Sequence, residues 1–345
     1  MNGRERVWAA IRFGTPDRIP LIYGVLPGAV DNYGAELAHI MQAYPSDFAG
    51  QDSDLKCTEE LSHYRAGTDV DAWGSIWENK GLGTEGQVAG HPLCQWGALP
   101  HYRPPDPRAE DWPGLDELIE RGRAEGKFVM PGAGRLFERM HFLRGYDRLL
   151  YDIADGRHEV EQLRDLILEH DLTVAELMLE RDVDGISYMD DWGTQNALMI
   201  RPDVWRELFK PAYRRLVQAA HEAGKAFYFH SDGCIREIVP DLIEIGVDVL
   251  NPQFSCHDLA ELASLCRGRV CVATDLDRQH VIPSGTPEEV RAYTQSVIEA
   301  FAHPGGGLIG RVEAGPDTPA ANIEAAYATF AAYRYAGARP QSEAN

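Results

Sequence analysis

Apolar residues in this chain come in short runs that break off at polar ones. The clearest is Lys225–Cys234, KAFYFHSDGC, where Ala226–Phe229 stops at His230, Ser231, Asp232, Gly233 and Cys234. A β-favouring apolar run followed by polar residues and Gly predicts a buried strand that ends in a loop. The pattern recurs at Lys127–Gly134, KFVMPGAG, and within 184–195, DGISYMDDWGTQ. It returns at Val247–Asn251, at Arg269–Asp277, RVCVATDLD, and at Gly307–Val312, with Glu313 next. Ile19–Gly24 predicts an earlier strand, released by Pro27-Gly28.

Between these runs the spacing turns helical. It predicts helices over Asn2–Arg12, 31–43, 112–125, 136–144 and 157–181. Others follow over Pro202–Ala223, 235–245, 257–265, Glu288–Ala302 and Pro319–Tyr335. Pro202 suits a first turn, where its missing N–H costs nothing. Strand then helix, repeated from about 127 to 335, implies a parallel sheet with helices outside. With Ile19–Gly24 and a further strand near 69–77, about eight strands are available. Eight predicts an α/β protein, a (β/α)8 TIM barrel in a single domain over 1–345. An open doubly wound sheet is the alternative. No GxGxxG follows a strand and no GxxxxGK[ST] occurs, so neither a dinucleotide fold nor a P-loop has support.

Residues 45–107 interrupt the rhythm. They are irregular and rich in Trp, Gly and Pro, as in DAWGSIW at 71–77 and HPLCQWG at 91–97. So long an excursion is expected to be functional or disordered, and its tryptophans argue against disorder. We expect it over the barrel mouth, with Trp73 and Trp77 either lining a pocket or pinning the excursion to the body.

Composition adds limits. Across 345 residues, 44% are hydrophobic and 25% charged, and the formal charge is 33 − 54 = −21. Phosphates attract Lys and Arg, so this balance argues against nucleic acid and anionic membranes. No run approaches the ~20 apolar residues of a transmembrane helix, and the N-terminus lacks a signal-peptide core. The cysteines at 57, 94, 234, 256, 266 and 271 form no CxxC pair. That fits a reducing compartment, so a cytoplasmic protein is expected, either monomeric or a homo-oligomer.

A barrel gathers its strand ends on one rim. There the sequence puts Asp190 and Asp191, then His230, Asp232 and Cys234, then Asn251 and Gln253. Asp275, Asp277, Arg278, Arg311 and Glu313 complete the rim. Carboxylates, an imidazole and a thiol together can bind a divalent metal or move protons. His230 can be a ligand or a hydrogen-bonded loop residue. Asp232 can be a ligand or the cap of the helix that follows. Cys234 can be a ligand or a small buried side chain. Strand side chains alternate, so one of Asp190 and Asp191 faces the rim, unless both cap the following turn.

Several stretches resemble the uroporphyrinogen decarboxylase superfamily. They are RERVWAAIRFGTPDRIPL, DAWGSIW, HPLCQWGALPHYRPPDP, GRLFERMHFLRGYDRLLYD, GISYMDDWGTQNALMIRPDVW and FYFHSDGCIREIVPDLIEIGVDVLNPQ. TDLDRQHVIPSGTPEEVR and GPDTPAANIEA follow, so the likeness runs across nearly the whole chain. It implies a (β/α)8 barrel with one of two chemistries. One is cofactor-free decarboxylation; the other is zinc-dependent methyl transfer with a corrinoid protein. The decarboxylases carry an RQAGRY segment, absent here, and a His before the final Thr-Pro, where Val312 stands. The corrinoid branch uses His-x-Cys and a later Cys for zinc. Here His230 matches, Asp232 replaces the first Cys, and Val312 stands at the last.

The expectation is therefore a metal-dependent methyltransferase acting on a small O-, N- or S-methyl compound. His230 and Asp232 would hold zinc or another divalent ion, completed by Cys234, Glu313 or Asp190. Asp190, Asp191 and Arg278 would serve catalysis, and Gln195, Arg311, Trp73 and Trp77 the substrate. No DxHxxG segment is present, so the corrinoid would arrive on a separate protein. The alternatives are a metal-free decarboxylase and a non-catalytic tetrapyrrole- or metal-binding protein.

Overall fold

A computed structural model describes residues 1–51, 55–81, 83–109 and 112–336. The strands are β1 (Leu21–Val25), β2 (Gly67–Val70), β3 (Ile76–Asn79), β4 (Gln87–Gly90) and β5 (Gly132–Gly134). Then come β6 (Gly185–Met189), β7 (Ala226–Ser231), β8 (Val249–Pro252), β9 (Cys271–Ala273) and β10 (Leu308–Ala314). Seven of them form one parallel sheet in the order β1-β10-β9-β8-β7-β6-β5, with helices between successive strands.

The barrel's eighth position differs from the expected one. The segment near 69–77 is not in the barrel wall; it supplies β2 and β3 of an antiparallel sheet, β2-β3-β4. The wall is closed by Asp47–Ala49. The Asp47 N–H donates to Leu21 O at 2.9 Å, while Phe128 N–H donates to Asp47 O and Ala49 N–H to Phe128 O, each at 2.9 Å. Phe48 and Phe128 form a single parallel bridge, so this extended segment joins β1 to the run that leads into β5. Asp47 secures it: its carboxylate accepts from Arg6 at 2.5 Å, Arg18 at 2.8 and 3.0 Å, and the Leu21 N–H at 2.8 Å.

Alternation along the strands sorts the core into two layers. Ile22, Tyr228, Val249, Cys271, Ala273 and Ile309 point into the lumen, plugged from below by Val7, Ala10 and Ile11 of the helix Gly3–Ile11. Leu21, Tyr23, Phe227, Phe229, Leu250 and Leu308 point out against the helices. The helix expected over 202–223 is two, Pro202–Leu208 and Lys210–Glu222, since Pro211 lacks the N–H that would carry one through.

The excursion straps the mouth. Arg139 and the Trp77 indole both donate to Asp71 Oδ2, at 2.7 and 3.2 Å, which ties the small sheet to the helix Phe137–Arg144 after β5. Across the mouth, Gly28 N–H donates to Gly83 O at 3.2 Å, beside the end of β1.

Candidate functional site: a His–carboxylate cluster on the barrel rim

The alternation that builds the lumen also builds the site. In β7, Ala226 and Tyr228 point inward, and His230 follows in phase. In β6, Ile186 and Tyr188 face the helices and Asp190 keeps their phase, so Asp191 turns to the rim. Asp191, His230 and Asp232 then meet: one ligand atom from each lies within 4.8 Å of the others. His230 Nε2 is 3.3 Å from Asp232 Oδ1 and 3.9 Å from Asp191 Oδ1.

Backbone pairing beyond the strand ends holds the loops together. Asp190 N–H donates to His230 O at 3.0 Å, Gly193 N–H to Asp232 O at 3.1 Å, and Cys234 N–H to Thr194 O at 2.8 Å. Asp232 N–H donates to Asp191 Oδ1 at 2.8 Å. The approach demands glycine on both sides. A Cβ on Gly193 would lie 2.2 Å from Cys234 N, and one on Gly233, whose φ is +75°, 2.0 Å from Gly193 O.

His230 is oriented from behind. Asn251 spends its amide donors on Ala273 O and Thr274 O, at 2.9 and 3.2 Å. Its Oδ1 therefore faces His230 Nδ1 at 2.7 Å and accepts that N–H, which leaves Nε2 for the cluster. Burial works against the imidazolium, but the Asp232 and Asp191 carboxylates outweigh it and raise His230 to about 9. Burial likewise opposes ionisation of Asp232, yet His230 and Arg278 hold its carboxyl well below the usual range. Asp191 is raised by burial and by the charge of Asp232.

The other rim residues form a second network. Arg278 pairs with Asp232 Oδ2 and Glu313 Oε1. Arg311 pairs with Asp275 at 2.7 Å and Glu313 at 2.9 Å. Glu313 thus serves two guanidiniums and is outside the three-residue cluster. Cys234 contributes its backbone, and its thiol is outside the cluster too. Val312 is buried in the helix layer, where its N–H donates to the Tyr327 hydroxyl at 3.2 Å.

Asp190 is an anchor rather than a rim group. Fully buried, it accepts from the N–H groups of Leu136, Phe137 and Glu138 at 3.0, 2.7 and 2.7 Å, and from the Tyr213 hydroxyl at 2.5 Å. It holds the start of the helix Phe137–Arg144. Gln195 is exposed and bonded to Gln279 at 3.1 Å. Trp73 is buried against His170 and Arg139. Trp77 lines a cavity of about 990 Å³ that also takes in Asp191. Glu138, in the same cavity, was not anticipated. Burial, then the charges of Asp191 and Asp190, raise it to about 8 despite Arg135. Its only sequence mark is its place after the Gly-rich turn of KFVMPGAG.

Do these residues suit a metal? The donors are one imidazole nitrogen and two carboxylates, a set accepted by zinc and harder divalent ions. Asp232 Oδ1 is buried without a well-formed hydrogen bond, 3.3 Å from His230 Nε2. The residues present fit, with the proton that the carboxylates hold on His230 Nε2 leaving as an ion enters.

No helix among the described residues is long and apolar enough to cross a membrane. No curated protein matches the chain. Among solved structures, a methyltransferase from Methanosarcina mazei aligns with a TM-score of 0.64 at 15% identity, covering 96% of this chain and 98% of that one. The 3-keto-D-glucoside 4-epimerase YcjR from E. coli aligns over 63% of this chain and 83% of its own, at 16% identity and a TM-score of 0.41. The first likeness carries the fold, and the second is too slight to add to it. The family model for uroporphyrinogen decarboxylase (URO-D) matches residues 135–333, from the turn after β5 through the last helix, and the chain belongs to that family.

Proposed function

We propose that this chain is a metal-dependent methyltransferase, moving a methyl group between a small methylated compound and a corrinoid on a separate protein. The observation that carries the reading is the Asp191–His230–Asp232 cluster beside the 990 Å³ cavity. These three residues would hold zinc or another divalent ion. Such an ion, when bound, supplies Lewis-acid polarisation of a substrate heteroatom. Asn251 presents the Nε2 face of His230 to the cluster. Arg278 occupies Oδ2 of Asp232, which leaves Oδ1 facing His230 Nε2 in the cluster. The rim pairing at Gly193 and Gly233 keeps Asp191 beside Asp232.

Decarboxylation is less well supported. It needs a guanidinium to grip the substrate carboxylate, and Arg278 and Arg311 are both already paired with acids. The test is elemental analysis of the purified chain beside a His230→Ala variant of matching circular dichroism. About one divalent ion per chain, lost in the variant, is expected for a single three-ligand site. Equal metal content in both would overturn the reading.

A further inference from the structure

We infer that Glu138 is the proton donor of this site, and that the methyl donor is an O-methyl compound whose oxygen takes that proton as it leaves. This rests on the methyl-transfer reading and adds a catalytic residue and the substrate class. Glu138 and Asp191 share the wall of the 990 Å³ cavity, so one substrate can touch both the cluster and this carboxyl.

Glu138 is fixed through its backbone. Its N–H donates to Asp190 Oδ1 at 2.7 Å, and Asp190 immediately precedes the cluster residue Asp191. Glu138 stands in the first turn of the helix Phe137–Arg144, where free N–H groups would favour a carboxylate. Here the N–H groups of Leu136, Phe137 and Glu138 are all taken up by Asp190. Glu138 Oε1 faces Arg135 at 3.4 Å, which leaves Oε2 to carry a proton.

The surrounding charges agree. Burial is the largest effect and favours the neutral acid; Arg135 opposes it, and Asp191, Asp190 and Glu85 reinforce it. An ion on the cluster would offset the charge of Asp191 and leave burial, Asp190 and Glu85 in place. Asp147 and Arg148, also in the lining, are of opposite sign. His141 is no rival donor, since burial and then Arg135 pull it down to about 3.

Methyl transfer needs an acid where the leaving atom would depart as a basic anion. Sulfonium and ammonium donors leave neutral without one. As the acceptor's electron pair forms the new bond to carbon, the C–O bond breaks and its pair stays on oxygen. The Glu138 proton passes to that oxygen, so an alcohol or phenol leaves neutral. Glu138 is left as a carboxylate beside Arg135 and regains a proton from water. An ether oxygen has two lone pairs, one for this proton and one for an ion on the cluster.

Two measurements on the zinc-loaded full chain test this. Infrared difference spectra, wild type minus Glu138→Gln, should show the carbonyl stretch of a protonated carboxyl at neutral pH. That band should fade as pH rises through about 8. Methyl transfer to reduced cobalamin is then followed by the formation of methylcobalamin. The donors are anisole and 4-methoxybenzonitrile, of which the second leaves as the weaker base. Glu138→Gln should slow anisole about 100-fold and the nitrile less than about tenfold. No protonated carboxyl at neutral pH, no transfer from either ether, or equal slowing of both would each overturn the inference. Metal analysis of the same samples separates the two claims. Zinc retained without the carbonyl band sinks the role of Glu138 and leaves methyl transfer; the band in a chain that holds no zinc sinks methyl transfer.

Discussion

Asp190 and Asp191 are neighbours with opposite employment, and replacing each in turn should separate stability from metal binding. Asp190 accepts four donors in a site without solvent: three backbone N–H groups and the Tyr213 hydroxyl. Asparagine has the same shape but one acceptor oxygen. Placed on the three donors that converge on Oδ2, it must turn its amide N–H2 toward the Glu138 N–H, donor against donor. A buried donor left unmatched costs about 1–3 kcal/mol, so Asp190→Asn should lose about 2 kcal/mol. Asp190→Ala strands all four donors and should lose roughly 4 kcal/mol or more. The assay is urea unfolding followed by circular dichroism, with metal content measured on the folded protein. Asp191→Asn is the counterpart. Its side chain is 35% exposed, so stability should barely move while bound metal falls. Asp190→Asn as stable as the wild type, or stripped of metal without loss of stability, would refute the division of labour.

Asn251 acts through His230. Asn251→Leu frees the imidazole to turn, and metal affinity measured by competition with a chelator should fall about 10- to 100-fold. Unchanged affinity would remove Asn251 from the site. A pH effect is expected far from the rim, at the foot of the barrel. Burial disfavours the Asp17 carboxylate, but Arg6, donating at 2.5 and 2.8 Å, wins and holds its pKa well below the usual range. A folded pKa below the unfolded value of about 3.9 means stabilisation present above that pH and lost as pH falls further. Asp17→Asn should therefore flatten the melting-temperature curve below about pH 4. An acid limb as steep as in the wild type would count against the pairing.

Most of the barrel was legible because its strands obey a simple rule. The apolar runs that stop at polar residues and Gly became parallel strands, except at Lys127–Gly134, where Phe128 makes a single bridge and the strand is Gly132–Gly134, the stretch expected to be a turn. Alternation also marks which residues face the rim. In GISYMDD the bulky Ile186 and Tyr188 mark the helix-facing phase, which places Asp190 with them and Asp191 on the rim. In LIGRVE the helix-facing phase of Leu308, Gly310 and Val312 likewise places Arg311 and Glu313 inward. What alternation does not encode is pairing across the rim. Glu313 has a suitable donor atom and a suitable position, but two arginines from β10 and the loop after β9 claim it. The strand near 69–77 failed for another reason. Its alternation is that of any two-sided sheet, and only contacts with β4 decide which sheet it joins.

The short closing segment Asp47–Ala49 bears on how this barrel could have gained its long excursion. Extra chain is tolerated where it displaces little regular structure, and lengthening a loop adds only slowly to its closure cost. Of all positions in the wall, this one holds its neighbours by a single bridge and a few main-chain bonds, secured by the carboxylate of Asp47. The excursion that straps the mouth departs directly after it. A seam of this kind is a natural site for growth by insertion. Descendants could lengthen, shorten or exchange the strap, and so change what reaches the rim, while the β6–β7 wall that carries His230 stayed as it was.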